Sequence, residues 1–322
     1  MKCLPQLVHI GYFGKLPSRG DFIKAADNLS LVELLDGWLA EVMHLLTADP
    51  RWKINYDAMR PLHFAFVGTR SKRAIVGHLT ASSDLSQRRY PFLSMGTIEV
   101  DDPSRFLPRS SLVLSPLWRE LDALIALVLE ADDPEPALQA LASARFEIDP
   151  GATEHMQAFT DFLDHYSIAG LEAILARTSV HRIILAIGLL LDPVRRSGTD
   201  QLQKSLMLPL PQSSCHRNLV AAFWLDLISI FLQREDFELS LFFTETRGEP
   251  VLVIGFNGAS PETLAAIIDP RSAPAHQVNL DNTEWVDSLT ASDAGVQKLS
   301  VYLEQGQLSL RSVHALFHET FD

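Results

Sequence analysis

Short apolar runs and longer helical patterns alternate along the first part of the chain. Runs of strand length cover residues 7–13, 62–68, 74–81 and 92–100, and they predict four β-strands. Between the first and the second run, apolar residues recur every three or four positions from 31 to 46, which predicts an amphipathic helix packed on the sheet. Ser30 and Glu33 fit a capping box at the start of this helix, and Pro50 follows its end.

The pattern becomes helical in the middle of the chain and mixed again after it. Helices are predicted over residues 112–131, 136–144, 153–165 and 171–191. Asp192-Pro193 is expected to stop the last of them, and residues 195–215, with Pro209 and Pro211, predict a loop or an extended connection. The remaining predictions are a helix over 218–232, a hairpin of strands over 238–244 and 250–256, and helices over 261–268 and 295–304.

These elements predict an α/β (α+β) protein in which a central, mostly antiparallel sheet is flanked by helices as a layered sandwich. The expected organisation is an N-terminal α/β domain at residues 1–131, a helical middle segment at 137–195, and a second small α/β region at 205–322. A chain of 322 residues exceeds the usual size of one core, which favours two domains or one domain with a large extension. The pattern leaves open whether the C-terminal region extends the first sheet or forms its own.

The charge is distributed unevenly, and this narrows the class of partner. The formal net charge is −13, yet residues 1–100 hold 12 Lys and Arg against 9 Asp and Glu, so they are net +3 and the rest is net −16. Acidic surfaces repel nucleic acid and anionic membranes, so the expected partners are proteins. No run approaches the roughly 18 apolar residues that span a bilayer, and no leader pattern opens the chain, which predicts a cytoplasmic protein. Cys3 and Cys215 are expected to be reduced thiols.

Two polar stretches are candidate functional loops. The first, residues 11–22, combines three glycines, a proline and three charged residues between apolar flanks. The second carries Ser83 and Asp84, followed by Arg88 and Arg89 just before the fourth strand. Glycine and proline define backbone shape, and arginine pairs with carboxylate or phosphate, so both loops fit a binding role as well as they fit solvated turns.

The first loop departs from the known phosphate-binding loops. A P-loop needs a glycine where this chain has His9, and a serine or threonine where it has Leu16. A dinucleotide loop needs the pattern G-x-G-x-x-G, which Gly11 and Gly14 do not form. These departures argue against nucleotide chemistry at this loop.

The chain also lacks a complete catalytic or metal-binding pattern. It has no G-x-S-x-G nucleophile elbow, and its cysteines have no nucleophile context. His314 and His318 are spaced i, i+4, but the glutamate of an H-E-x-x-H zinc motif is missing. His63 and His78 fall in predicted strands and are expected to pair across the ladder rather than to act as bases. We therefore expect no catalytic residue, no cofactor and no metal.

The first hundred residues resemble the TagF (ImpM) family, which are accessory proteins of bacterial type VI secretion systems. The residues that carry the resemblance are the 11–22 loop, Trp38-Leu39, the spacing of Trp52, Tyr56 and Pro61, and Ser83-Asp84 leading to Arg88-Arg89-Tyr90-Pro91-Phe92. Gln87 stands where the family usually has glycine, and residues 241–244 stand where it usually has a tryptophan in a late strand.

The resemblance implies a non-enzymatic cytoplasmic accessory protein that regulates type VI secretion, repressing it after translation, by contacting protein components of the apparatus. A forkhead-associated-domain protein is the partner class that it suggests. The residues expected to bind the partner are Gly14, Lys15, Pro17, Arg19, Gly20, Asp21, Asp84, Arg88 and Arg89. The alternatives are a phosphate-ester hydrolase or nucleotide-binding enzyme that uses Lys15, Arg19 and Arg88, and a structural subunit of the secretion machine.

Overall fold

The sheet that organises this protein draws its strands from both ends of the chain. The computed structural model describes residues 5–197, 202–232, 236–281 and 283–322. Its strands are β1 (Gln6–His9), β2 (Gly11–Gly14), β3 (Ile23–Ala25), β4 (Leu62–Gly68), β5 (Arg73–Thr80), β6 (Phe92–Glu99), β7 (Arg145–Ile148), β8 (Ser205–Pro209), β9 (Glu238–Thr246), β10 (Glu249–Gly255) and β11 (Gln277–Asn279).

Helices connect and cover these strands. They are α1 (Leu29–Leu46), α2 (Trp52–Asp57), α3 (Pro103–Phe106), α4 (Ser110–Glu130), α5 (Glu135–Ser143), α6 (Thr153–His165), α7 (Ile168–Leu175), α8 (Val180–Ser197), α9 (Ser214–Ser229), α10 (Pro261–Ile268), α11 (Ala273–His276), α12 (Trp285–Thr290), α13 (Ala294–Leu303) and α14 (Leu310–Phe321), with a 3-10 turn at Leu107–Arg109.

Within the described ranges, nine strands form one sheet in the order β11-β8-β10-β9-β4-β5-β6-β2-β3. All neighbouring strands are antiparallel except β11 and β8, which are parallel. The predicted fold class, a mostly antiparallel sheet flanked by helices, is confirmed. The two halves of the chain meet where β4 pairs with β9, with Ala65 opposite Leu241. The C-terminal region therefore extends the first sheet, a question that the pattern left open.

Different helices bury the two faces of this sheet. Along β4 the side chains alternate, so that Phe64 and Phe66 join the buried cluster under α1 and α10, while Ala65 joins the cluster under α4 and α9. The ring of Trp38 in α1 lies 5.3 Å from the ring of Phe66 and 6.2 Å from that of Phe242, measured between centroids. The predicted packing of the first helix on the sheet is confirmed, and both halves of the chain supply the core beneath it.

The strand predicted over residues 7–13 is in fact two strands in different sheets, so this prediction was wrong. β1 pairs with β7, which the pattern did not predict, whereas β2 pairs with β3 and β6. The break falls at Ile10, and the next residue passes close to β3: a Cβ atom on Gly11 would lie 2.7 Å from the Cβ atom of Ala26. A continuous apolar run does not reveal such a break, because both pieces bury side chains.

Helix α1 begins at a different cap from the predicted one. The Asn28 side chain accepts a hydrogen bond from the Leu31 backbone N–H at 3.1 Å, and the helix starts at Leu29. Ser30 lies inside the first turn, so the capping box of Ser30 and Glu33 was wrong. Asparagine and serine are comparably good caps, and the path of the chain leaving β3 decides between them.

The helix predicted over residues 171–191 is divided into α7 and α8, which is a second correction. Between them Ala176 and Ser179 adopt positive φ angles of 50° and 63°. α8 then continues through Pro193, contrary to the predicted stop. No single helix in the described residues is both long and apolar enough to cross a bilayer; α7 and the first part of α8 reach that length only together, with a bend of 100° between them.

The loop predicted over residues 195–215 contains strand β8, so this prediction was wrong in part. β8 lies between β10 and β11, and all of its residues except Met207 are buried. A run of five residues that ends at Pro209, with Pro211 just beyond it, carries too short a pattern to be recognised as a strand. β8 is recognised as a strand only through its pairing with β10 and β11, which come later in the chain.

Candidate protein-binding surface

The two polar loops lie side by side at one end of the sheet. Residues 15–22 follow β2 and residues 81–91 join β5 to β6; together we call them the polar-loop surface. β2 pairs with β6 so that Gly14 lies opposite Phe92, which places the start of the first loop beside the end of the second. Strand pairing therefore brings together two groups of residues that are about seventy positions apart in the sequence.

Hydrogen bonds join the two loops directly. The Leu85 N–H donates to the Arg19 carbonyl oxygen at 2.9 Å, and the Ser82 hydroxyl donates to the Lys15 carbonyl oxygen at 2.7 Å. The buried Tyr56 hydroxyl accepts from the Ser82 N–H and donates to the Ser82 carbonyl oxygen, both at 3.0 Å. Sequence reasoning gave Tyr56 and Ser82 no role in the site, although they support the second loop from below.

Asp84 is a buried carboxylate between the loops. Its side chain is 0% exposed, with Lys15 Nζ at 3.0 Å and Arg88 Nε at 2.7 Å from its Oδ2 atom. The backbone N–H groups of Ser86 and Arg88 each donate to its Oδ1 atom at 2.9 Å. Burial by itself would raise the pKa of the Asp84 carboxyl, but the hydrogen bonds from Arg88 and Lys15 hold that pKa below its ordinary value. Asp84 therefore stays ionised and ties both loops together.

Lys15 and Arg88 brace the surface. Lys15 is only 8% exposed, and its ammonium group also donates to the Arg88 carbonyl oxygen at 3.4 Å. The Arg88 guanidinium donates to the Gly20 carbonyl oxygen at 2.9 Å. Arg88 thus holds the first loop through Gly20 and Asp84, whereas Asp21 is exposed. A partner that contacted Lys15 would first have to break its pair with Asp84.

The glycines and the proline of the first loop differ in what they do. Gly14 has a φ angle of 136°, and a Cβ atom there would lie 2.2 Å from the Pro91 carbonyl oxygen, so only glycine fits. Gly20 has open space where a Cβ atom would be placed, and Pro17 is exposed. Gly14 therefore allows β2 to pass close to the second loop. Pro17 and Gly20 are accessible to a partner.

The second loop turns at Gln87, the position where the TagF resemblance expects glycine. Gln87 has a φ angle of 61°, and its N–H donates to the Asp84 carbonyl oxygen at 2.8 Å. This left-handed conformation is one that glycine adopts without steric cost and other residues adopt with strain. Gln87 adopts this conformation in a turn that the backbone hydrogen bonds to the Asp84 side chain hold in place.

The two remaining basic residues of the predicted set are held differently. The Arg89 guanidinium donates two hydrogen bonds to the Asp57 carboxylate at 2.7 and 2.6 Å, and these bonds lower the pKa of Asp57. Arg19 lies 3.7 Å from Asp133 and 3.5 Å from Glu135, and its side chain is 41% exposed. Arg19 is thus the more loosely paired of the two and the more accessible.

Two exposed apolar side chains complete the surface, and sequence reasoning missed both. Phe22 is 54% exposed and Leu85 is 67% exposed. The Phe22 ring packs edge-on against Tyr90, with centroids 4.9 Å apart, and Lys15 Nζ lies 4.9 Å from the Phe22 centroid. The signal available in the sequence was a large apolar residue inside each otherwise polar loop. Exposed apolar groups held on a rigid backbone are typical of protein-binding surfaces.

The predicted histidine pair is present on the α4 side of the sheet. His63 lies opposite His78 in the register of β4 and β5, and their Nδ1 atoms are 2.9 Å apart. Burial lowers the pKa of His63 to about 3 and that of His78 to about 4, so both are neutral at neutral pH. The His63 ring stacks on Trp118 with centroids 5.6 Å apart, and His78 Nε2 lies 3.7 Å from the Asp122 carboxylate. The pair fills space between the sheet and α4.

Comparison with known proteins places both polar loops inside one domain. Residues 11–144 match the family model of the TagF N-terminal domain, described as Type VI secretion system-associated. No curated protein matches the chain. Among solved structures, the crystal structure of PA0076 from Pseudomonas aeruginosa PAO1 is similar, with 24% sequence identity and a TM-score of 0.37; the likeness covers 43% of this chain and 64% of that one, which is less than two thirds of its length. Residues 11–144 of this chain are therefore assigned to the TagF N-terminal domain, which is described as Type VI secretion system-associated.

Proposed function

We propose that this chain is a non-enzymatic, cytoplasmic accessory protein that represses type VI secretion after translation, and that the polar-loop surface contacts a protein of the secretion system. The observation that carries the proposal is the pair of loops within the TagF N-terminal domain, locked to each other by the buried Asp84 carboxylate. A surface that is rigid before binding loses little conformational entropy when a partner docks.

The side chains that this surface displays fit a protein partner. Phe22 and Leu85 supply exposed apolar area, and Arg19 supplies a charge at 41% exposure. Apolar anchors with a polar rim are the usual composition of protein interfaces, and a rim charge mainly steers the partner to the site. The partner class that the TagF resemblance suggests is a forkhead-associated-domain protein or another protein component of the system. We expect neither nucleic acid binding nor membrane insertion.

The geometry gives little support to the alternative enzyme. Lys15 Nζ lies 3.0 Å from the Asp84 carboxylate and Arg88 Nε lies 2.7 Å from it, so two of the three cations that would bind a phosphate ester already neutralise a buried anion. A phosphate group would have to displace that carboxylate and leave a buried charge without its partners, which is costly. We therefore propose a binding role for these loops.

The test compares secretion by cells that carry two double variants of the chain. We expect Arg19→Ala/Leu85→Ala to lose repression, seen as increased release of a secreted component into the medium, because Leu85 is 67% exposed, the Arg19 side chain is 41% exposed, and neither side chain holds Asp84. The matched control is Arg70→Ala/Leu289→Ala, which removes an exposed arginine and an exposed leucine from other elements. The control should repress as the parent does.

Each variant also needs a check on folding and on binding. Circular dichroism and the amount of protein in the cell should be unchanged for both variants. Affinity purification from secreting cells should recover the partner with the parent and the control but not with Arg19→Ala/Leu85→Ala. Full repression by that variant would show that the polar-loop surface is not the interface. Stable co-purification of the parent with sheath or baseplate proteins would favour a structural subunit instead.

A further inference from the structure

Three potential metal ligands meet where the last helix packs on α9. Asp226 belongs to α9, and His314 and His318 lie one turn apart on the same face of α14. His314 Nε2 is 2.7 Å from Asp226 Oδ2, and the two imidazole rings have centroids 4.2 Å apart. One ligand atom from each side chain can be chosen so that all three lie within 4.8 Å of one another.

Two of these side chains carry buried polar atoms without a hydrogen bond. In the described part of the chain, neither His318 Nε2 nor Asp226 Oδ2 makes a hydrogen bond, although Asp226 Oδ2 is within ion-pair distance of His314. A buried polar atom without a partner costs stability, so such atoms usually have a ligand, an ion or a water nearby. His318 Nε2 is such an atom, and it belongs to the same cluster as the ion pair of Asp226 and His314, which points to a ligand shared by the three side chains.

The local charges are compatible with a cation. Burial and the neighbouring His314 both lower the pKa of His318. Asp226 and the C-terminal Asp322 both act on His318 with negative charge. The positive charge of Arg109 also interacts with Asp226 and repels a cation there. The binding energy of a metal ion would have to exceed this repulsion.

We infer that Asp226, His314 and His318 form a binding site for one divalent transition-metal ion of the zinc class. Two imidazole nitrogens and one carboxylate oxygen are a donor set that Zn²⁺ accepts, with a fourth position left for water. The side chains of Asp226 and His314 are 18% and 31% exposed, which provides that access. Tetrahedral ligands at about 2.0–2.1 Å from zinc are roughly 3.3 Å apart, so the contact between His314 and Asp226 opens by about half an ångström on binding.

A metal ion in this position would join α14 to α9. The first two ligands are visible in the sequence as an i, i+4 pair, whereas the third lies 88 positions before His314 and is supplied by packing alone. We expected no metal from the sequence because the i, i+4 pattern contains only His314 and His318, which are two of the three proposed ligands. The site is remote in sequence from the polar-loop surface, and the inference does not depend on the proposed function.

The experiment uses the full-length chain without an affinity tag, cleared of metal with a chelator. Cys215 is a free, exposed thiol, as expected, and its Sγ atom lies 3.3 Å from His216 Nδ1, so it could bind metal separately. Cys3 lies outside the described residues. All proteins are therefore prepared in a Cys3→Ser/Cys215→Ser background. We expect calorimetric titration with Zn²⁺ to give one ion per chain, and Co²⁺ to show the visible absorption of a tetrahedral site.

The ligand variants and a matched histidine variant decide the result. His318→Ala and Asp226→Asn should weaken Zn²⁺ binding by at least about tenfold and lose the rise in melting temperature that metal gives the parent. His44→Ala, which removes an exposed histidine from α1, should bind as the parent does. Asp226→Asn keeps the shape of the side chain, so it decides the question if His318→Ala fails to fold. A parent that binds no Zn²⁺, or ligand variants that bind it as tightly as the parent, would overturn the inference.

Discussion

At the scale of single residues, one buried carboxylate accounts for most of the polar-loop surface. Asp84 receives hydrogen bonds from two backbone N–H groups and pairs with Lys15 and Arg88. Removing one partner from a buried charge is strongly unfavourable because the charge remains without compensation. The main role of Lys15 and Arg88 is therefore to hold the surface in shape. The residues available to contact a partner are those at its rim.

Gln87 offers a test of backbone strain in the second loop. We expect Gln87→Gly to stabilise the folded chain by about 0.5–1 kcal/mol, because relief of a left-handed conformation exceeds the entropy that glycine loses on folding. The matched control is Gln297→Gly in the interior of α13, where the same change should destabilise by about 1 kcal/mol. Urea unfolding measures both. A loss of stability in Gln87→Gly would show that the Gln87 side chain makes a contribution larger than the strain.

At the scale of elements, β4, β5 and α4 together enclose the histidine pair. One Nδ1 atom must donate and the other must accept across 2.9 Å, which requires the accepting ring to be neutral. The folded-state pKa values of about 3 and about 4 lie below the ordinary value of 6.5. At a pH between these values and 6.5, the unfolded chain therefore binds more protons than the folded chain. Stability contributed by the neutral pair is complete above pH 6.5 and is lost as the pH falls toward 4.

This titration predicts a pH dependence that a double variant should reduce. Between pH 6.5 and pH 5 the free energy of unfolding of the parent should fall by up to about 1.4 kcal/mol per pH unit for each of the two histidines. His63→Gln/His78→Gln removes both titrating groups and should flatten the slope, although it lowers stability at every pH. Urea unfolding across this range gives the slopes. Equal slopes for the parent and the variant would show that the two histidines titrate normally in the folded state.

At the scale of the whole molecule, the TagF N-terminal domain depends on the C-terminal half for its sheet and its core. β4 is an interior strand only because β9 covers its second edge, and Trp38 of α1 stacks on Phe242 of β9. An uncovered strand edge and an uncovered apolar face promote aggregation. The segment that the family model matches is therefore not a unit with closed edges in this structure.

A fragment of residues 1–150 tests this dependence. We expect it to aggregate or to unfold without a sharp transition, whereas the full chain melts cooperatively under the same conditions. Differential scanning calorimetry and size-exclusion chromatography measure the two properties. A monomeric fragment that melts as sharply as the full chain would show that the first half closes its own core.

Much of the fold could be predicted from local pattern. The strand over residues 62–68 and the helix over 261–268 were predicted with the observed bounds, and the predicted hairpin turns at Arg247 and Gly248, which have positive φ angles of 55° and 82°. Successive side chains of a strand point to opposite faces of the sheet. Their hydrophobic pattern therefore reports which faces are buried, whichever strand lies beside it. Local signals of this kind need no knowledge of distant residues.

The sequence by itself determined most of the longer strands and helices, that the sheet is mainly antiparallel, and which two loops are polar. Tertiary structure alone decided that β9 covers β4, that the run over residues 7–13 divides between two sheets, and that Asp226 joins the i, i+4 histidines. Tertiary structure also decided that Lys15 is buried and pairs with Asp84. The physical reason is that periodicity reports the environment of a residue through its immediate neighbours, whereas strand pairing and charge pairing depend on groups brought close only after the core has closed.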